Sequence, residues 1–521
     1  MQQSERSLGR SARSTVAVMA STFASRLLGF VRIAVIGAIF GASGNADVLN
    51  LVFTIPNNLR KLTAEGALSS AFIPVLSQSI VEDPSGETSR GLVRSIATFQ
   101  LVVLAPVMVL AVVFAQPVVN IILDFPELER QVLAADAFRW FIHYTLLISL
   151  SAVLMATLNS HRRFLVPALT PVLFSLTVIA SILLLHRRLG IFSMAVGVLA
   201  GGVIQILFQL PSFRGLGYRL LPRWNFRDLR FRKVLRQWLP VVGTASIFTI
   251  NQQVAILFAS GLEDGSGSAM TNALVFWQLP FGIFGAAITT VLFPRMSRQA
   301  AARDSDGLSE TLQFGFRYLV TLLIPAALVL SLLGREIIAV ALQRGAFEAR
   351  FTVLTSEVLM YYSLGLLSVG AYNFFQRFFY ATDDFRTPLI VAVVTLVLDV
   401  GLSLWLKETV LGVRGLALAN SIAFTVGLLL FLYRSSLALG GIDLGRILVT
   451  LGKVFAALIP IAVFIRVYLG RTGPWWEDGS TFRNLGLLAI PGAASIVICL
   501  GMYYILRVEA FSSLLKTRRN S

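Results

Sequence analysis

The chain has 521 residues, of which 56% are hydrophobic and only 14% charged, with mean hydropathy +0.77. A soluble domain carries about 45–50% apolar and about 25% charged residues, so the surplus excludes a soluble enzyme and points to a membrane. Forty-four Lys/Arg against 27 Asp/Glu leave a net charge of +17 and a pI near 10.7; one Cys (Cys499) and three His (His143, His161, His186) exclude a disulfide framework and a zinc site.

The N-terminal stretch MQQSERSLGRSAR is polar and basic, and no small-residue cleavage site follows the first apolar run. That run is expected to be a retained span rather than a signal peptide. Apolar runs bounded by Pro, Gly and charges then give about fourteen spans, near 15–40, 47–80, 92–123, 133–158, 166–186, 190–212, 235–260, 268–294, 311–333, 353–376, 388–406, 414–433, 447–469 and 484–506. They are continuous rather than alternating, which excludes a transmembrane β-barrel and predicts an all-α polytopic membrane protein. With the N-terminus placed inside, the cations concentrate on the same side. The densest group follows span six (Arg214, Arg219, Arg223, Arg227, Arg230, Arg232, Lys233, Arg236), and Lys516, Arg518 and Arg519 close the chain. This is the positive-inside pattern, with both termini cytoplasmic, and it accounts for the charge better than nucleic acid does.

An internal duplication is visible at one offset. AFIPVLSQ and VLFPRMSRQ place Pro74 against Pro294; RRFLVPALTP and DDFRTPLIVA place Pro167 against Pro388; LGIFSMAVGVLAG and LGVRGLALANSIA open spans six and twelve. Two six-helix lobes are expected, 1–230 with spans one to six and 231–440 with spans seven to twelve, then two extra spans and a basic tail over 441–521. An even number of spans per lobe makes the repeat parallel, an arrangement found among secondary transporters with substrate bound between lobes.

The informative charges lie inside spans. Span one carries Arg26 and Arg32; span two carries Asp47, Arg60, Lys61 and Glu65, with Pro56 and Gly66 to bend it. Such charges are expensive in lipid and face either a water-filled cavity or a partner. Pairing among themselves is one reading; a cationic cavity for an anionic substrate is the other, and Arg forks suit diphosphate oxygens. Six residues turn a helix by about 600°, so Arg26 and Arg32 sit roughly 120° apart and share a wide cavity at most. Asp399, with Ser403 one turn on and Asn420 and Thr425 in the next span, reads either as a cation or proton site or as a polar contact that fixes packing, with packing preferred. No phosphate-binding loop, nucleophile elbow or metal spacing is present in the sequence, so no catalytic residue, metal or cofactor is expected. A coupling cation, sodium or a proton at Asp399, Asn420 and Thr425, is the one exception.

The stretch SRLLGFVRIAVIGAIFGASGNADVLNLVFTIPNNLRKLTAEGALSSAFIPVLS resembles the opening of the MurJ (MviN) family of lipid II flippases, in the multidrug/oligosaccharidyl-lipid/polysaccharide exporter superfamily. The resemblance rests on R-x-x-G-x-x-R, the F-G-A turn with its following Asp, and P-N-x-L-R-x-x-x-A-E-G-A. It implies translocation of an undecaprenyl-diphosphate-linked peptidoglycan precursor by alternating access. It implies further that Arg26, Arg32 and Arg60 meet the diphosphate and saccharide, that Asp47 matches the family acid opening span two, and that Glu65 holds a structural or gating position. The family Arg of span eight has no counterpart in NALVFWQLPFGIFG, where Val275 stands at its place beside Leu274 and Gln278; either Arg26, Lys61 or another residue replaces it, or the substrate or its handling differs. The family's span-seven acid is likewise missing from NQQVAILFAS. Expected partners are the lipid-linked diphosphate, membrane lipid and cell-wall synthesis proteins, with no nucleic acid. The competing functions are a flippase for another polyprenyl-diphosphate saccharide, a cation-coupled antiporter, and a non-transporting cell-wall assembly scaffold.

Overall fold

A computed structural model describes residues 21, 24–42, 44–63, 67–476 and 481–508, and every regular element among them is helical. In a bilayer only a helix or a closed barrel satisfies its own backbone, so long apolar runs fold this way. The chain divides into two compact units at Gly261/Leu262.

The first unit holds α1 (24–40), α2 (Asn45–Thr63), α3 (Ala67–Glu82), α4 (Glu87–Val113), α5 (Ala115–Ile122), α6 (Leu128–Phe141), α7 (His143–Ser160), α8 (Leu165–Leu189), α9 (Phe192–Arg214) and α10 (Leu229–Ser260). The second holds α11 (Ser266–Pro280), a π turn over Phe281–Gly285, α12 (Ala286–Ala301), α13 (Ser305–Leu332), α14 (Gly334–Leu342), α15 (Ala349–Leu364), α16 (Leu366–Ala381), α17 (Arg386–Leu406), α18 (Val413–Ala438), α19 (Leu444–Thr472) and α20 (Thr481–Ile505). α10, expected from the sequence in the second lobe, packs in the first unit against α2 and α3.

Among the described residues ten spans, two of them formed by successive helices (α6 with α7, and α11 with α12), or eleven with α15 and α16 taken as one span bent by 45°, are long and apolar enough to cross a membrane. The other three expected spans, α1, the α2–α3 segment and α10, include positions outside the described residues. Asn50, Asn57, Asn58 and Arg60 lie on α2, Arg26 and Arg32 on α1, and Asn251, Gln252 and Gln253 on α10. Polar and charged residues within a span face a partner or a water-filled cavity.

The sequence duplication reappears in backbone geometry. Arg162 and Asp383 each adopt positive φ, 59° and 58°, where the α7 and α16 chains turn toward the Pro-bearing helix that follows. Arg163 N–H then donates to Leu158 O, and Asp384 N–H to Phe379 O, both at 2.9 Å. Gly190 and Gly412, with φ 53° and 51°, initiate α9 and α18 in turn. These two glycines take a conformation that a Cβ would strain.

Close helix contacts fix each unit internally. α9 lies on α8 because Gly197 and Gly201 lack side chains: a Cβ on Gly197 would fall 2.9 Å from Val178 Cα, and one on Gly201 2.8 Å from Phe174 Cδ2. In the second unit a Cβ on Gly365, at the α15–α16 break, would lie 2.6 Å from Ser421 Oγ on α18. α13, α19 and α20 close around Leu333, Leu458, Ile461 and Ile465. Helix starts outside the apolar belt are capped by Asp228, Asp304 and Asp443, whose side chains accept from backbone amides of the first turn.

Candidate functional site

In the first unit α1 and α2 carry two guanidinium groups within electrostatic reach of each other. Arg32, half-buried on α1, lies over the Phe174 ring of α8, with its Cζ 5.4 Å from the centroid. It stands within electrostatic reach of Arg60 and of Tyr144. Arg60, half-buried near the end of α2, donates through Nε to Asn57 Oδ1 at 3.1 Å, the i,i+3 spacing that puts both on one helix face. Two cations within electrostatic reach repel each other, and an anion between or beside them relieves the repulsion.

The support beneath Arg32 is aromatic. Phe174 and Tyr144 rings are 5.2 Å apart, Tyr144 and Phe53 6.3 Å, and Phe53 and Phe141 5.4 Å. Gly201 and Gly202 of α9 make room for this shelf, since a Cβ on Gly202 would fall 3.2 Å from Tyr144 Cδ2. Guanidinium stacking on an aromatic face holds the charge in place without neutralising it. Sequence reading did not find these rings, because a Phe or Tyr in an apolar run carries no mark distinguishing a shelf from ordinary core.

The other sequence candidates disperse. Arg26 is exposed on α1, consistent with its 120° offset from Arg32. Asp47 is buried in the first turn of α2, where the helix N-terminus favours a carboxylate. Thirteen residues separate it from Arg60, about 20 Å along a helix axis, so the two do not share one subsite. Lys61 lies within α2, its side chain beyond what the structure describes. Glu65 and the terminal Lys516, Arg518 and Arg519 lie outside the described residues.

In the second unit Asp399 is buried, accepting from Asn420 Nδ2 at 2.8 Å and from Ser403 Oγ at 3.4 Å, and facing Tyr362. Thr425 does not join this group: its hydroxyl donates to Ser421 O at 2.7 Å and meets Ser368 Oγ at 2.8 Å. Asn420 and Thr425 are five residues apart, which places them about 140° apart around α18, so both cannot address one carboxylate. Among the described residues no group of three or more His, Cys, Asp or Glu has metal-binding spacing. Val275 and Leu274 are half-buried on α11 and Gln278 is exposed.

Comparison with known proteins connects this geometry to a family. The family model for lipid II flippase MurJ matches residues 36–487. A probable lipid II flippase MurJ of Borreliella burgdorferi is 34% identical over 496 residues, covering 95% of this chain and 97% of its own. That of Vibrio cholerae is 32% identical over 434 residues, covering 81% and 82%. A solved lipid II flippase MurJ in its inward closed conformation superimposes with TM-score 0.78 at 26% identity, covering 96% of this chain and all of that one. An inward-facing multidrug resistance MATE transporter, at 14% identity and TM-score 0.67, shares the fold alone. The matches cover both units and bear out the resemblance carried by the opening fifty residues. The chain is a multi-pass inner-membrane protein belonging to the MurJ family of lipid II flippases.

Proposed function

We propose that the chain carries lipid II, the undecaprenyl-diphosphate-linked peptidoglycan precursor, across the inner membrane by alternating access, as a transporter that leaves its cargo chemically unchanged. The observation that carries this is that Arg32 and Arg60, charges inside expected spans, lie within electrostatic reach of each other, with Arg32 propped on Phe174. Two fixed guanidinium forks offer several N–H donors to the oxygens of one diphosphate. Arg26, exposed on the same helix, extends the cationic lining toward the saccharide, and Lys61 supplies a further cation in a chain that has Val275 at the sequence position of the family arginine. Asp47 orders the start of α2, and Glu65 serves in gating. α19 and α20 hold the polyprenyl tail. Both termini face the cytoplasm, following the positive-inside distribution.

Asp399 acts in packing, accepting from Asn420 of α18 and Ser403 of its own helix. Binding energy and membrane potential drive the cycle, with cell-wall synthesis proteins supplying and removing the lipid. A drug antiporter is not favoured, since the MATE likeness is one of fold, and neither is a scaffold, whose cavity charges would be dispensable.

The test is complementation. The gene is expressed in bacteria depleted of their own lipid II flippase, and surface-exposed lipid II is assayed. Restored growth with translocated precursor is the expected result. Stable membrane expression without translocation would overturn the lipid II assignment, and growth that survives neutralisation of both Arg32 and Arg60 would overturn the cavity.

A further inference from the structure

Between α9 and α10 the chain crosses one end of the first unit in a loop over 215–228 that is built in two layers. Leu216, Tyr218, Leu220 and Phe226 pack inward on a core that includes Phe72, Leu76, Val93, Phe213 and Phe231. Arg219, Leu221, Arg223, Trp224 and Arg227 point outward. The inner layer is pinned: Tyr218 Oη donates to Ser89 Oγ at 3.1 Å and meets His161 Nε2 at 2.8 Å, and Arg230 bridges Glu82 at 3.1 Å. The outer layer therefore does not exist to complete the core. Trp224 is 70% exposed and Leu229 82%, and with them stand the exposed cations Arg219, Arg223, Arg227, Arg232 and Arg236.

The height of this layer on the helices identifies what it faces. Arg223 N–H donates to Thr98 Oγ1 at 2.9 Å, fixing Arg223 and Trp224 level with Thr98 of α4. Three residues on, about 4.5 Å along the axis, α4 begins its outward apolar run at Leu101, Val102 and Val103. On α10 the order repeats: Arg236 is exposed, and three residues later Leu239 is exposed and apolar. The cations thus ring the edge of the lipid-facing belt. The Arg223 guanidinium turns back over Gly91, away from that belt, as a side chain reaching for headgroup phosphate does. Trp at the belt edge with Arg around it is the composition of an interfacial anchor.

We infer that the 215–228 loop and the first turns of α10 form an anchor for an anionic phospholipid surface, holding headgroup phosphates on Arg223, Arg227 and Arg236 with Trp224 inserted beside them. The inference rests on the membrane-spanning reading alone and stands whichever lipid-linked substrate is carried.

The full chain is purified and reconstituted in phosphatidylcholine vesicles with and without phosphatidylglycerol. Two readouts are taken: phosphatidylglycerol retained per chain after detergent extraction, and quenching by headgroup-proximal brominated lipid, the Trp224 part being the difference between wild type and W224F. The expected results are selective retention of phosphatidylglycerol, quenching of Trp224, and an affinity that falls about fivefold for each of R223Q, R227Q and R236Q. Equal retention by wild type and the triple variant overturns the anchor, as does an unquenched Trp224. Preference for a polyprenyl diphosphate over phosphatidylglycerol would overturn it too, reassigning the patch to substrate capture.

Discussion

Gly201→Ala is the most exacting small perturbation of the candidate site, because it touches no charged residue. The new Cβ would fall 2.8 Å from Phe174 Cδ2 and 3.5 Å from Phe174 Cα. A relaxed carbon–carbon contact needs about 3.5–4.0 Å, so the ring must move by roughly 1 Å or α8 and α9 must part. Phe174 is 7% exposed and lies against the tilted Tyr144 ring, which leaves it little room. Overpacking of this kind costs about 1–3 kcal/mol of stability. Displacing the ring also weakens the stacking under Arg32, worth about 0.5–2 kcal/mol, so lipid II affinity should fall by about two- to thirtyfold. The assay is lipid II binding to purified protein, paired with a melting curve. Gly452→Ala on α19 is the control, since a Cβ there meets nothing within 4 Å. Unchanged lipid II affinity in G201A, with the same protein folded in the membrane, would refute the claim that the α8–α9 contact sets the position of Arg32.

Other outcomes follow from the same geometry. Asp399→Asn keeps an acceptor for Asn420, so transport should persist and stay indifferent to replacing sodium by potassium, whereas Asp399→Leu strands the Asn420 amide and should cost about 1–3 kcal/mol; loss of a sodium dependence in D399N at unchanged melting temperature would instead establish a cation site. Asp384, in the turn before α17, has its pKa displaced by several effects: burial alone would raise it, but the Thr387 hydroxyl and amide and the Arg386 amide outweigh that and hold it below the ordinary carboxylate range. A depressed folded value gives stability that is present above the unfolded pKa and lost as pH falls through the folded one. The melting curves of wild type and Asp384→Asn should therefore differ at neutral pH and converge in acid; a gap that persists or widens in acid would contradict this. Gly365→Ala should destabilise the second unit by about 1–3 kcal/mol, because its Cβ meets Ser421 Cα at 2.8 Å, which is backbone and cannot rotate away; a melting temperature equal to wild type would show that the α15–α16 break is not held by α18.

Much of this was legible in the sequence, and the illegible parts have physical reasons. Arg32 and Arg60 declare themselves because charge inside an apolar run is costly and so must be explained. Phe174 and Tyr144 do not, because an aromatic ring in such a run is equally at home in core or lipid. Of the fourteen spans read from apolar runs, ten or eleven are found among the described residues, and α1, α2–α3 and α10 include positions outside them. Thr425 was grouped with Asp399 by proximity in sequence, but the helical rotation from Asn420 carries it to another face, where it bonds Ser368. Asp47 and Arg60 share one helix and opposite ends of it. The 215–228 loop reads from composition as a cluster of cations; only the Thr98 bond reveals that it sits at the edge of the apolar belt.

The central claim is that Arg32 and Arg60 together hold the diphosphate of lipid II. Its most direct test is translocation of labelled lipid II in vesicles reconstituted with wild type, Arg32→Ala, Arg60→Ala and the double variant, at matched protein content. Because two donors to one diphosphate are coupled, the account predicts that each single variant loses at least tenfold in rate and that the double variant loses less than the product of the two. Wild-type rates in both single variants would contradict it.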